Sequence, residues 1–274
     1  VKALRRLWVY PAALAVLVVI AFPLYGVVLT SIQREQDIRS RDVNFIPRYI
    51  ELGHYQAVLD PGHIVPIREA MMNSFTVSVL TAVIAVALAL PATYALYRLP
   101  LPGRSYILAG LVSIYLLPTI LFVLPLYVRA AQFGLLDTFT GLVIPYVAFI
   151  LPFMVWILGA FLKAIPVQIE EAAMIDGANR LQILVRVVLP LMKPGIGAGL
   201  LMGFILAWIE FLTPLLFTRE LRILTVTLGL YRSTYEIEIG QLAAAAVLTA
   251  LPLIVLTVVF QRAISQVITT GAER

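Results

Sequence analysis

The chain has 274 residues and a mass of 30.2 kDa, with 61% hydrophobic and 13% charged residues, a mean hydropathy of +0.98 and a formal net charge of +5. Soluble domains carry roughly 45–50% apolar and about 25% charged residues, so this chain has too little charge to cover a water-facing surface and reads as an integral membrane protein. The absence of cysteine excludes a disulfide scaffold, a thiolate metal site and a cysteine nucleophile, and with no Gly-Lys pair there is no G-x-x-x-x-G-K-[ST] phosphate loop.

A helix rises about 1.5 Å per residue and the hydrocarbon core is about 30 Å thick, so a span needs about 20 apolar residues. In chain order six such runs occur, at 8–30, 72–97, 105–128, 140–162, 194–218 and 240–260. The expected fold is therefore all-α, with six transmembrane helices in a single membrane domain covering 1–274. Lys2, Arg5 and Arg6 precede the first run as in a secretory signal. Its 23 residues exceed the usual 7–15 of a signal's apolar region, and no A-x-A-like site follows, so a retained anchor is expected.

An even number of spans puts both termini on one side. With the termini cytoplasmic, the inside segments 1–7, 98–104, 163–193 and 261–274 hold 11 Lys/Arg, against 9 on the longer outside segments. The higher inside density predicts cytoplasmic ends in a multi-pass protein. That orientation also accounts for the basic pI of about 9.6 without nucleic acid, since no run of five or more Lys/Arg occurs. In the polar outer segment 31–71, His54 and His63 are the only two histidines, too few for a histidine metal centre. No metal site is expected.

The segment 163–193 is much longer than the 2–8 residues that usually join adjacent helices. Pro166 can open a helix, Glu170 and Glu171 lie near its positive end, and Gly177 can take the left-handed conformation that stops it. Ile165, Ile169, Ala172 and Ala173 share one side at helical spacing. Asn179 can cap a second helix carrying Leu181, Leu184, Val188 and Leu191, until Pro190 and Pro194 break it. The expectation is a cytoplasmic helix–turn–helix rich in small residues. An amphipathic hairpin lying on the lipid surface is the plainer reading of the same pattern.

The stretch EEAAMIDGANRLQILVRVVLP resembles the EAA loop of ABC-importer permeases, whose pattern is E-A-A, three residues, Gly, nine residues, Ile, any residue, Leu-Pro. Glu171, Ala172, Ala173, Gly177, Leu189 and Pro190 match, with Val187 where Ile is usual. The segments 73–104, 124–146 and 207–218 are similar to parts of the carbohydrate-type, MalG-like permeases, and HYQAVL resembles their segment ahead of the second span. The resemblance implies a type I importer fold, with Glu170, Glu171, Ala172, Ala173, Asp176, Gly177, Leu189 and Pro190 in an ATPase-coupling element. It further implies a second homologous permease subunit, two ATP-binding-cassette subunits that use ATP and Mg, and an extracytoplasmic solute-binding protein. No cofactor and no catalytic residue is then expected in this chain, and the cytoplasmic membrane is its location. A sugar, oligosaccharide or polyol-like solute is implied, with a glycerophosphodiester as the alternative.

Within the spans Glu210 is the only acid, and an acid at a helix centre costs about 2.5–3.5 kcal/mol on insertion scales, so it should face protein or water. Two readings remain open: Trp208 and Glu210 line the solute pathway, the indole stacking on a sugar face and the carboxylate accepting from hydroxyls, or Glu210 is a buried structural acid. The family often has Asn where this chain has Ile209. Gly195, Gly199 and Gly203 form a small-residue stripe suited to close helix packing. Pro118, Pro125, Pro145 and Pro152 can kink the third and fourth spans.

Other classes fit less well. An intramembrane enzyme would need a nucleophile and base or paired acids at membrane depth, where only Glu210 lies. A self-contained channel or secondary transporter would be expected to show inverted repeats and would leave the hairpin unexplained.

Overall fold

The computed structural model describes residues 9–41, 44–63, 65–231 and 239–272, and among them every regular element is helical. Among the described residues four helices are long and apolar enough to cross a bilayer, and a bent pair can supply a fifth span. They are α1 (Val9–Ile32), α4 (Ile67–Arg98), α7 (Phe139–Ala164) and the apolar part of α14 (Ile239–Ala272), with short α2 (Glu35–Ile38) and α3 (Gly53–Leu59) between the first two. Two compact units result, one from the chain up to residue 71 together with 227–252, the other from 72–226 together with the chain from 253 onward.

In the first unit α1 is apolar all round and almost wholly exposed, as befits a lipid-facing span. The segment after α1 folds back on its end. The Glu51 N–H donates to Ile32 O at 2.8 Å, and the Ser31 and Tyr55 hydroxyls are 2.7 Å apart. His54 is buried, its Nε2 2.9 Å from Gln33 O, and it leaves no room for a side chain at Gly240, where a Cβ would stand 2.3 Å from that nitrogen. The carboxylate of Glu35 accepts the N–H groups of Ile239 and Gly240, both at 3.2 Å.

The second unit is built around α7. Its side chains Leu142, Tyr146, Met154, Leu158 and Leu162 are among the most buried in the protein, and about two-thirds of its most apolar window is enclosed. The apolar run 105–128 is not one helix here. It forms α5 (Arg104–Tyr115) and α6 (Ile120–Gln132), separated by a non-helical stretch that contains Pro118, which cannot donate a helical hydrogen bond. The run 194–218 is likewise divided into α11 (Lys193–Trp208) and α12 (Leu212–Phe217).

The glycine stripe of α11 packs within this chain. A Cβ on Gly195 would lie 2.6 Å from the Phe161 ring of α7, one on Gly199 3.3 Å from Val86 of α4, and one on Gly203 3.2 Å from the Ala82 backbone. Close approach of helix backbones replaces the hydrophobic driving force that lipid cannot supply.

Candidate functional site

The hairpin between α7 and α11 is assembled by local rules. Pro166 sits at the N-cap of α8 (Val167–Ile175), where a missing N–H costs nothing. At the other end Gly177 takes φ +84°, its N–H donates to Met174 O at 3.0 Å, and the Ala178 N–H donates to Ala173 O at 3.0 Å. Those two bonds and the left-handed glycine are a Schellman stop, which satisfies carbonyls that the helix end would leave open. Asn179 then opens α9 (Arg180–Ile183) with a capping box: its Oδ1 accepts from the Gln182 N–H and its own N–H donates to Gln182 Oε1, each at 2.9 Å. The chain continues through a π-helical stretch, Leu184–Val188, and α10 (Leu189–Leu191), then bends by 77° into α11.

Of the two adjacent glutamates of α8, one is exposed and the other buried. Glu171, Ala172, Ile175, Asp176 and Gly177 are exposed, with Ile175 at 87%, and Val167, Ile169, Leu181 and Val185 add apolar surface around them. Ala173 and Leu189 are half-buried and Pro190 is exposed. Glu170 is instead 1% exposed. Its Oε1 accepts from Arg98 Nε at 2.6 Å, and its Oε2 accepts from the Tyr94 hydroxyl at 3.1 Å. Through Nη2 the same guanidinium donates to Leu162 O at 2.8 Å and Ile165 O at 2.6 Å at the end of α7, where Leu162 O also accepts the Ile165 N–H at 3.1 Å. Removing one member of such a buried pair costs about 3–5 kcal/mol because the other charge is stranded.

Arg98 and Tyr94 were not singled out from the sequence, where Arg98 counts only as an inside positive charge. The available signal was their spacing: a Tyr and an Arg four apart at the C-terminal end of an apolar run share one helix face.

Glu210 lies in the interruption between α11 and α12. Both its carboxylate oxygens accept from the Thr213 N–H, at 3.2 and 3.0 Å, so the side chain caps α12. Its backbone carbonyl accepts from the Thr225 hydroxyl at 2.8 Å. It also lines a cavity of about 130 Å³ with Thr119, Tyr146, Phe149, Ile150 and Leu206. A larger cavity of about 540 Å³ borders the α5–α6 break, sharing Thr119 and Phe149 and adding Phe122 among its walls. Trp208 lines neither cavity. It is 2% exposed and stacks on Phe204, with ring centroids 5.4 Å apart.

The two histidines do not converge on a metal. His63 Nε2 lies 2.9 Å from Gln241 Oε1, His54 is engaged as above, and no group of three or more His, Cys, Asp or Glu residues occurs among the described residues.

Long apolar helices, two of whose runs break beside a cavity, are thus joined to a hairpin with an exposed small-residue face. Residues 70–270 match the family described as binding-protein-dependent transport system inner membrane component, and the chain belongs to that family. It is 33% identical over 275 residues to the inner membrane ABC transporter permease protein YcjP of Escherichia coli (strain K12), covering 100% of this chain and 98% of that one. It is also 33% identical over 238 residues to the trehalose transport system permease protein SugB of Mycobacterium tuberculosis, covering 85% of this chain and 86% of the relative. Its fold matches a chain in the crystal structure of a bacterial ABC transporter involved in the import of the acidic polysaccharide alginate. That match has a TM-score of 0.77 at 23% identity and covers 96% of this chain and 98% of the other. The protein is a permease subunit of an ABC importer, a transport component and not an enzyme.

Proposed function

We propose that this permease moves a sugar or sugar-like polyol inward across the cytoplasmic membrane by alternating access. It pairs with a second, non-identical permease and receives solute from an extracytoplasmic binding protein. Two separate ATPase subunits hydrolyse ATP with Mg and seat the α8 hairpin. The hairpin is then cytoplasmic, and so are both termini.

The observation that carries the coupling role is the exposed face of α8, where Glu171, Ala172, Ile175 and Asp176 surround an apolar, small-residue surface held rigid by the Gly177 stop and the Asn179 capping box. Small side chains let a partner approach the backbone closely. A rigid element fixed to two spans can pass closure of the ATPases to the pathway as a rigid-body shift. Glu171 and its neighbours belong to that docking surface, while buried Glu170 supports it from behind.

For the solute, the relative named for trehalose supports the sugar class. The Glu210 cavity suits it chemically: a carboxylate, the Thr119 and Tyr146 hydroxyls and the Phe149 ring offer hydrogen-bond acceptors and an apolar face together. Non-helical backbone at membrane depth is tolerated where it lines a cavity or is buried in protein, which favours the two helix breaks as walls of the passage. Trp208, enclosed against Phe204, belongs to the packing behind that wall.

The test is uptake by cells carrying the complete importer, with labelled trehalose, maltose and glycerophosphocholine as probes. Uptake of a sugar, reduced by Glu210→Ala, is expected. Uptake of glycerophosphocholine alone would replace the sugar assignment. Normal uptake in Glu171→Arg and Gly177→Pro variants would refute the coupling role.

A further inference from the structure

We propose that Arg98 is a positioning residue for coupling: it clamps the inner end of α4 to both α7 and α8, so that the hairpin and these two spans move as one body. This rests on the reading of α8 as the ATPase-docking element. It adds which spans that element carries and through which side chain.

The geometry is specific to arginine. One guanidinium meets three acceptors on two elements: Glu170 Oε1 on α8 through Nε, and Leu162 O and Ile165 O at the end of α7 through Nη2. A planar fork with several fixed donors can do this, whereas a lysine ammonium is a single point charge on a flexible stem. Tyr94, one turn earlier on α4, donates to the second oxygen of Glu170.

Packing alone would tie these elements less firmly. Near the junction Gly159 of α7 sits against the Tyr97 ring, where a Cβ would come within 2.5 Å, and Lys163 Nζ lies 5.0 Å from the centre of that ring. These contacts join α4 to α7 but do not reach α8. The side-chain bonds from α4 to α8 are those that Glu170 receives.

A force on the exposed face of α8 has two routes into the membrane. One follows the chain through Ile165 and Pro166 into α7, and Pro166 breaks the helical continuity there. The other crosses the Glu170–Arg98 pair into α4. A buried, directional pair resists sliding in a way that apolar contact does not, so the second route makes α4 a driven span.

The experiment uses the complete importer. The chain has no cysteine of its own, so spin labels can be placed at Gln168→Cys on α8 and Leu101→Cys just beyond α4, both exposed, in a complex whose other subunits carry no reactive cysteine. Distances between the labels are measured nucleotide-free and after trapping with ATP and vanadate. In the otherwise unaltered chain the distance should stay constant within about 1 Å while the importer changes state, as for a rigid body. In Arg98→Gln it should shift by about 2–5 Å between states, the scale of helix sliding. Arg98→Lys should give an intermediate result and Tyr94→Phe a smaller shift, so the outcome does not depend on the glutamine variant folding. A photocrosslinker at Ile175 is run alongside. Capture of the ATPase with an Arg98→Gln distance that stays constant overturns the clamp and spares the docking role. Loss of capture in the unaltered chain overturns the docking role itself. A distance that changes between states in the unaltered chain also overturns the clamp.

Discussion

Gly195 lies flat against Phe161: a Cβ there would stand 2.6 Å from the ring's Cγ and 2.8 Å from the Phe161 Cβ, an atom that no rotamer change can move away. The glycine stripe of α11 is thus graded by what it touches. Gly195→Ala should destabilise most and Gly203→Ala next, since the latter would press on the Ala82 backbone at 3.2 Å. Gly199→Ala should be mildest, because its neighbour is a Val86 methyl at 3.3 Å. Overpacking of this kind costs about 1–3 kcal/mol. Thermal unfolding of the three variants in detergent checks the order.

Gly177 holds φ +84° and a Cβ added there would meet nothing within 4 Å, so a substitution meets conformational strain and no clash. Gly177→Ala should cost about 1–2 kcal/mol through the left-handed backbone alone. Gly177→Asn should cost less, since Asn tolerates that region. Proteolytic nicking within 176–180 reports the loosened turn, and it should rank Ala above Asn.

Asp137 gathers three backbone N–H groups from Arg219, Glu220 and Leu221, and its own N–H donates to Phe217 O at 2.9 Å. These donors, that of Arg219 foremost, hold its carboxyl below the usual aspartate value. A carboxyl whose pKa is lower folded than unfolded stabilises the fold fully above the unfolded value, near 3.8, and loses that contribution as pH falls through the lower folded value. Its effect should be flat from neutral pH down to about 5 and decline only in strong acid. Amide exchange at 219–221, corrected for intrinsic rates, should show protection that is lost at pH 7 in Asp137→Ala and partly kept in Asp137→Asn.

Glu210 caps α12, and one pair of variants separates that role from the proposed one on the solute pathway. Glu210→Gln keeps an acceptor for the Thr213 N–H and removes the charge, whereas Glu210→Ala removes both. Loss of a side-chain helix cap costs about 0.5–2 kcal/mol, so the alanine variant should unfold earlier and the glutamine variant close to the parent. If the carboxylate also meets solute, uptake falls in both. Uptake that falls only in the alanine variant assigns Glu210 to the α12 cap alone.

Much of this architecture is written locally. Apolar runs at 8–30, 72–97 and 140–162 announce helices because nothing interrupts their hydrophobicity, and the α8 hairpin is legible because Pro166, Gly177 and Asn179 each act on their immediate neighbours. Pro118 marked the interruption of 105–128, though a proline in a span can kink a helix or end it, and neighbouring packing decides which. The break at Ile209–Phe211 carries no Pro or Gly. Its signal was the acid itself, whose side chain satisfies the backbone that the break exposes.

The division between Glu170 and Glu171 was not legible. Adjacent helical residues point about 100° apart, but which of them turns inward depends on Arg98, 72 positions away in sequence. The surroundings of Trp208 were not legible either: an indole beside an intramembrane acid suggests a sugar platform, and the fold stacks it on Phe204, four residues earlier. The glycine stripe was legible as packing, while its partners, Val86 and Phe161, came only from the fold.

The central claim is that the exposed face of α8 seats a motor subunit. Its most direct test is a photocrosslinker at Ile175, 87% exposed in the isolated chain, in the purified, transport-competent importer. Crosslinks to the ATPase subunit that change in yield with ATP and vanadate are predicted. An importer that transports normally while the probe at Ile175 captures no ATPase in any nucleotide state would contradict it.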